Sequence, residues 1–130
     1  MKLIKGIFLL FIVSLFFSVS STKAEVFVGM NGVEVPSLSR IYTSSAYDKT
    51  KSGPKQYLET VAMDATVKAR TYATFASAGY SSWVTQEVKK EKNWGSENTS
   101  KNQYKLQLKT VKNHITSKKY YGIWKYDWAK

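Results

Sequence analysis

Lys118-Lys119-Tyr120-Tyr121-Gly122-Ile123-Trp124-Lys125-Tyr126-Asp127-Trp128 is the stretch whose reading decides the fold. Five of its eleven residues are aromatic and three are lysine. At a period of two, Tyr120, Trp124, Tyr126 and Trp128 fall on one face, and Tyr121, Ile123, Lys125 and Asp127 on the other. An extended chain sends successive side chains to opposite sides, so this alternation predicts a half-buried strand. The stretch reads as the last strand of a small β-domain, with its aromatic face in the core.

The segment before it repeats the pattern more cleanly. From Gln103 to Lys109, Tyr104, Leu106 and Leu108 alternate with Lys105, Gln107 and Lys109, which predicts one buried and one wet face. With Asn113 to Lys119 as the turn, the two strands are expected to pair as a central hairpin.

Gln56 to Ala78 admits two readings. At period two, Val61, Met63, Ala65, Val67, Ala69, Ala73 and Phe75 share a face, opposite Asp64, Thr66, Lys68, Arg70, Tyr72 and Thr74. At helical spacing, Leu58, Val61, Ala62, Ala65, Ala69, Tyr72, Ala73 and Ala76 also form a stripe, with Pro54 placed to start a helix and Gly79 to stop it. The helix leaves Met63, Val67 and Phe75 off its apolar face and must accept four threonines, which are mediocre helix formers. A strand, or two strands broken by a bulge, is the favoured reading.

The remaining segments are short. Glu25 to Pro36 reads as a hairpin or an ordered arm turning at Met30-Asn31-Gly32, Arg40 to Thr43 as a strand, and Ser44 to Pro54 as a loop. Ser81 to Lys89 reads as a strand and Asn93 to Ser100 as a polar connection. About six short strands with no sustained helix predict an all-β domain, a small antiparallel β-sandwich or barrel.

Composition narrows the setting. Residues 1–24 have the layout of a signal peptide. Lys2 and Lys5 lead the apolar run Ile7 to Val19, and Thr22 and Ala24 stand at −3 and −1 of a cleavage site. That run is shorter than the roughly 18 to 20 residues that span a bilayer, so cleavage after Ala24 is preferred over an uncleaved anchor. Residues 25–130 then form one secreted domain, with no transmembrane segment of its own. The chain has no cysteine, so no disulfide supports it, and the style of the leader suggests a bacterial, Gram-positive product.

Losing Lys2, Lys5 and Lys23 lowers the formal charge from +11 to +8. Residues 25–88 are balanced, with six basic and six acidic side chains. Residues 89–130 hold eleven lysines against Glu91, Glu97 and Asp127, so the whole excess lies there. Such a field attracts anions but says nothing about fold.

Catalytic chemistry is poorly provided for. His114 is the one histidine and reads as an exposed loop residue among lysines. Thiol nucleophiles and thiolate metal sites are excluded by the absence of cysteine. Asp48, Glu59, Asp64 and Asp127 have no spacing that pairs two of them, and no phosphate loop or calcium loop is present. No enzyme activity, metal or cofactor is expected.

Binding is the stronger class. Lys105, Lys109, Lys118, Lys119 and Lys125 are expected to form a basic face across the last hairpin, although lysine on an edge strand also serves to block edge pairing. Trp94, in a polar loop, and Trp128, near the end, are expected to add exposed aromatics. Lysine outnumbers arginine eighteen to two, which favours nonspecific attraction over base readout, so nucleic acid is not the expected partner.

Thr43-Ser44-Ser45-Ala46-Tyr47, Tyr80-Ser81-Ser82-Trp83 and the closing Tyr120 to Trp128 stretch resemble short exported β-sandwich proteins of Gram-positive bacteria. These include the lactococcin-type bacteriocins and related exported families of unknown function. The chain is longer than the lactococcins and has a single histidine; the resemblance implies the fold and no functional residue. Three functional expectations result. The first is a secreted basic domain that associates with anionic cell-envelope polymers or lipids. The second is a bacteriocin-like antimicrobial effector. The third is an exported structural partner of another protein.

Overall fold

The computed structural model describes residues 25–75 and 79–128; the segment read as a signal peptide lies outside them. Ten strands and no helix make up the described residues. They are β1 (Glu25–Val35), β2 (Tyr42–Thr43), β3 (Tyr47–Lys49), β4 (Tyr57–Met63), β5 (Val67–Ala73), β6 (Gly79–Tyr80), β7 (Val84–Thr85), β8 (Lys90–Asn93), β9 (Asn102–Thr110) and β10 (Lys118–Trp128).

All pairings are antiparallel, and they form two sheets. Sheet A runs β1-β10-β4-β8. Sheet B is centred on β9 and β5, with β2 and β3 pairing along β9 and β6 and β7 along β5. The sheets pack face to face over one core, so the domain is a β-sandwich.

The expected final hairpin does not form. β10 pairs with β1 and β4, whereas β9 pairs with β2, β3 and β5. Each strand supplies the inner face of its own sheet, and their apolar rows meet across the core. Tyr104, Leu106 and Leu108 of β9 and Tyr120 and Trp124 of β10 are all fully buried.

Residues 56–75, the described part of this segment, form two strands and no helix, as the favoured reading had it, but the two strands lie in different sheets. β4 belongs to sheet A and β5 to sheet B, joined through Asp64, Ala65 and Thr66. Asp64 N–H donates to the Lys119 carbonyl of β10, and the Thr66 carbonyl accepts from Val111 N–H just past β9. The corner is thereby tied to both sheets. A bulge shifts the β4 register against β10 between Thr60 and Ala62, leaving Val61 as the extra residue. Leu58 and Thr60 point into the core before it and Met63 packs against the core after it, while Val61 is exposed. That change of phase is why a single period-two count along the whole segment misplaces Val61.

Other segments depart from expectation in similar ways. Glu25 to Val35 is one strand, neither a hairpin nor an arm. Met30 and Asn31 pair with β10, and the expected turn is a bulge at Gly32, which is in the left-handed region at φ 69°. The loop expected over Ser44 to Pro54 contains β3. The strand expected over Ser81 to Lys89 shrinks to Val84–Thr85, and Ser81, between β6 and β7, is tied to Thr71 of β5. Its N–H donates to the Thr71 carbonyl and its hydroxyl accepts from Thr71 N–H.

The opening stretch is β10, the second strand of sheet A. Trp124 is fully buried, meets Tyr47 edge to face at 5.7 Å and donates from its indole to Gln56 Oε1 at 3.0 Å. Tyr120 lies over Gly122, where a Cβ would fall 2.7 Å from the tyrosine ring and 2.8 Å from the Glu59 carbonyl oxygen. Only glycine lets the ring fold down there. The Tyr120 hydroxyl makes a 2.6 Å hydrogen bond with the Thr60 hydroxyl. Burial, partly offset by that bond, pushes the phenol up to about 12.

β3 is held to β10 by charge. Lys49 is buried, with its Nζ 3.9 Å from Asp127 Oδ1. Asp127 also accepts from Thr50 N–H, the Thr50 hydroxyl and Lys51 N–H. Burial raises its carboxyl, but these three hydrogen bonds and the charge of Lys49 outweigh burial and hold it below the ordinary carboxylate value. For Lys49, burial outweighs the attraction of Asp127 and lowers its ammonium.

Candidate functional site

The inner faces are used by the core, which leaves the two outer faces to meet solvent. On β5, Val67, Ala69, Thr71 and Ala73 are buried, so Lys68, Arg70 and Tyr72 point outward from sheet B. On β9, Lys105, Gln107 and Lys109 point the same way. The register sets these residues side by side. Lys68 stands opposite Lys109, Arg70 opposite Gln107 and Tyr72 opposite Lys105. Tyr80 of β6 stands opposite Tyr72 and stacks on it, with ring centroids 4.7 Å apart.

Trp83, from the bridge between β6 and β7, covers the middle of this array. The Arg70 guanidinium lies 4.3 Å from its ring centroid, Lys109 Nζ 4.6 Å and Lys68 Nζ 5.8 Å. Arg70 is also 3.9 Å from the Tyr80 ring centroid, so it contacts both aromatics. Its Nε donates to Gln107 Oε1 at 2.7 Å, and Gln107 Nε2 donates in turn to the Thr43 hydroxyl at 3.1 Å. The orientation of the amide, and hence of the guanidinium, is set by that chain.

Three cations therefore gather on one indole, and two of them are directly opposed across the ladder. Like charges in that position repel. Among the described residues, no carboxylate pairs with Lys68, Arg70 or Lys109. Partial burial, reinforced by the charges of Lys68 and Arg70, pushes the Lys109 ammonium below its ordinary value. The array is a concentrated positive field on a flat aromatic support.

The chain matches no family model, no curated protein and no solved structure. The candidate site is thus built from this chain's geometry alone.

The five lysines expected on one basic face are divided. Lys105 and Lys109 lie on the outer face of sheet B. Lys118, Lys119 and Lys125 lie on β10 in sheet A, so they do not join the other two. Lys119 stands opposite Glu34, and Lys125 Nζ is 2.7 Å from Glu91 Oε2. The split follows from the missing hairpin. A basic face that relied on pairing β9 with β10 cannot exist when those strands lie in opposite sheets.

The aromatic expectations change as well. Trp94 is not a surface residue. It is 5 % exposed, and its indole donates to the Ala69 carbonyl at 3.3 Å. The polar connection around it folds inward, with Gln56 Nε2 donating to the Asn98 carbonyl and the Asn98 amide donating to the Thr71 hydroxyl. Trp128 ends β10, and its side chain lies outside the described residues.

Lys68, Arg70, Tyr72, Tyr80 and Trp83 were not singled out as a site from the sequence. The signal was present: the alternation from Asp64 to Thr74 already placed Lys68, Arg70 and Tyr72 on one face. Their conjunction with Lys109 and Trp83 depends on contacts across 13 to 41 residues of chain, which no local pattern carries.

Away from this flat array, an open groove of about 420 Å³ lies at the end of sheet B and is lined by Asp48, Lys49, Thr50, Phe75, Lys101, Asn102 and Gln103. Its lining mixes both signs of charge, so it lacks the single-sign field of the outer face.

Proposed function

We propose that residues 25–130 form a secreted, non-enzymatic binding domain that docks on anionic cell-envelope polymers through the outer face of sheet B. The observation that carries this reading is the facing pair Lys68 and Lys109, closed in by Arg70 and with no acid partnering any of the three among the described residues. An anionic ligand would relieve that repulsion, whereas in the free protein the cations only weaken the ladder. Export rests on the leader-like first 24 residues, and the polymers of a Gram-positive wall are the polyanions nearest to an exported protein.

A polymer fits this face better than a lipid surface does. Among the described residues ten large apolar side chains are exposed, and of these only Tyr80 stands on the outer array; the other nine, Phe75, Val88 and Val111 included, lie on sheet A or in connections. Membrane-surface binding needs apolar groups that enter the lipid beside the cations.

The test is retention of the purified protein on isolated walls and on anionic vesicles across a salt series. Retention on walls that exceeds retention on vesicles and falls steeply with salt is the expected result. Retention that salt does not affect, or equal retention on walls stripped of their anionic polymers, would overturn the reading.

A further inference from the structure

Arg70 is held differently from the lysines around it. Its Nε is engaged by Gln107 Oε1, which is itself anchored on Thr43, and its guanidinium lies against both Tyr80 and Trp83. These contacts fix the plane of the guanidinium and leave the two terminal amino groups without a hydrogen-bond partner among the described residues. A fork held in this way loses little freedom when it binds, and it presents two parallel N–H donors at a fixed spacing. Lys68 and Lys109 flank it as mobile point charges on the same indole.

We infer that Arg70, with Lys68 and Lys109, forms a discrete oxyanion site that takes the phosphate group of a base-free phosphodiester chain, the substrate class of the binding face described above. This rests on that reading of the face and gives it a chemical preference. A carboxylate offers two oxygens in one plane and is satisfied by the fork alone. A tetrahedral phosphate offers further oxygens out of that plane, where Lys68 and Lys109 can reach them. Lys105 lies two residues along β9 from Gln107, about 7 Å at the rise of a strand. That is near one repeat of an extended phosphodiester backbone, so Lys105 is placed to meet the next phosphate. Base stacking has little room here. Tyr80 already contacts Tyr72 and Arg70, and Trp83 is covered by three cations. A base would have to displace protein groups from either ring.

The experiment compares wild type, Arg70→Lys and Gln107→Leu by calorimetric titration with a glycerol phosphate oligomer. A thymidylate oligomer and polyglutamate of equal charge serve as the other arms. Far-ultraviolet circular dichroism and thermal unfolding of each variant establish that it is folded. Arg70→Lys keeps the charge but loses the fork, so affinity for the glycerol phosphate oligomer is expected to fall about tenfold with an unchanged salt slope. Gln107→Leu, which frees the guanidinium without touching it, is expected to move affinity in the same direction. Polyglutamate, whose carboxylates engage the fork but offer no oxygens out of its plane, is expected to bind wild type more weakly than the glycerol phosphate oligomer does, and equal affinity for the two would overturn the phosphate preference. If both variants bind the glycerol phosphate oligomer as wild type does, the oxyanion site is overturned while polymer binding stands. If thymidylate binds as tightly as glycerol phosphate, the base-free assignment is overturned. If wild type binds none of the three, the proposed function fails with it.

Discussion

Both outer faces of the sandwich carry cations, and they arrange them in opposite ways. On sheet A, Lys119 stands opposite Glu34 and Lys125 forms an ion pair with Glu91. On sheet B, Lys68 stands opposite Lys109, and Arg70 is turned toward a neutral amide and two aromatic rings. Net charge does not distinguish a binding surface from a solvated one. Pairing does: cations with acids beside them contribute to the fold, and cations without them are available to a ligand. The comparison therefore predicts that paired cations matter for stability and that the unpaired ones matter for binding.

The largest effect is expected where a paired cation is buried. Asp127→Ala should destabilise the protein by about 3–5 kcal/mol, because Lys49 is left buried without its counter-charge. Adding Lys49→Met to that variant should recover much of the loss. Denaturant titration of the single and double variants checks both. The pH dependence gives an independent handle. A depressed carboxyl contributes stability above its unfolded value that is lost as the pH falls through its folded value, so Asp127→Ala should also flatten the acid limb of the stability curve.

Beneath sheet A, Tyr120 carries the same logic without a charge. Its phenol, pushed up from 10.0 to about 12 by burial, contributes stability that is complete below pH 10 and lost as the pH rises toward 12. The loss should amount to about 2–3 kcal/mol. Tyr120→Phe should remove that alkaline dependence, as followed by thermal unfolding between pH 9 and 12.

The two faces can then be set against each other directly. The triple variant Lys68→Gln, Arg70→Gln, Lys109→Gln should lower wall retention by about tenfold or more at low salt. The triple variant Lys118→Gln, Lys119→Gln, Lys125→Gln removes the same charge from sheet A and should change retention by less than about threefold. Equal losses from both would mean that overall charge, and not its arrangement, governs binding.

Smaller effects sharpen the boundary. Gln107→Glu gives Arg70 an acid partner and makes sheet B resemble sheet A. It should raise stability by about 0.5–1 kcal/mol while lowering wall retention. Glu91→Gln, at the exposed pair with Lys125, should cost less than about 1 kcal/mol and leave retention unchanged. Opposite signs for stability and binding in the first variant are the result that would bear most directly on the comparison.

Much of the fold was legible from residue patterns. The inward rows Tyr104, Leu106, Leu108 and Tyr120, Trp124, Tyr126 are buried as their alternation predicts. The site was legible only in part. Lys105 and Lys109 belong to the candidate face, but Lys118, Lys119 and Lys125 do not, and Trp94 moved from the surface to the core. In each case the error lies in which strands neighbour one another, not in which way a side chain points along its own strand. Trp94 is the exception that shows the limit of composition, since a polar loop can still carry one large ring inward to close the end of a core.

The aromatic strand from Lys118 to Trp128 was enough, by itself, to determine an extended segment with one buried face, and with the other short alternating segments it placed a disulfide-free chain in the all-β class, because side-chain alternation is a local property of the backbone. Whether that strand would pair with its predecessor or face it across the core was decided only by tertiary structure. Pairing and packing both bury the same residues, and the choice between them depends on the bulges, corners and long-range registers of every other strand. For that reason the lysines of this strand are separated in space from those of its predecessor, and the proposed binding face is assembled around Arg70, in the middle of another strand.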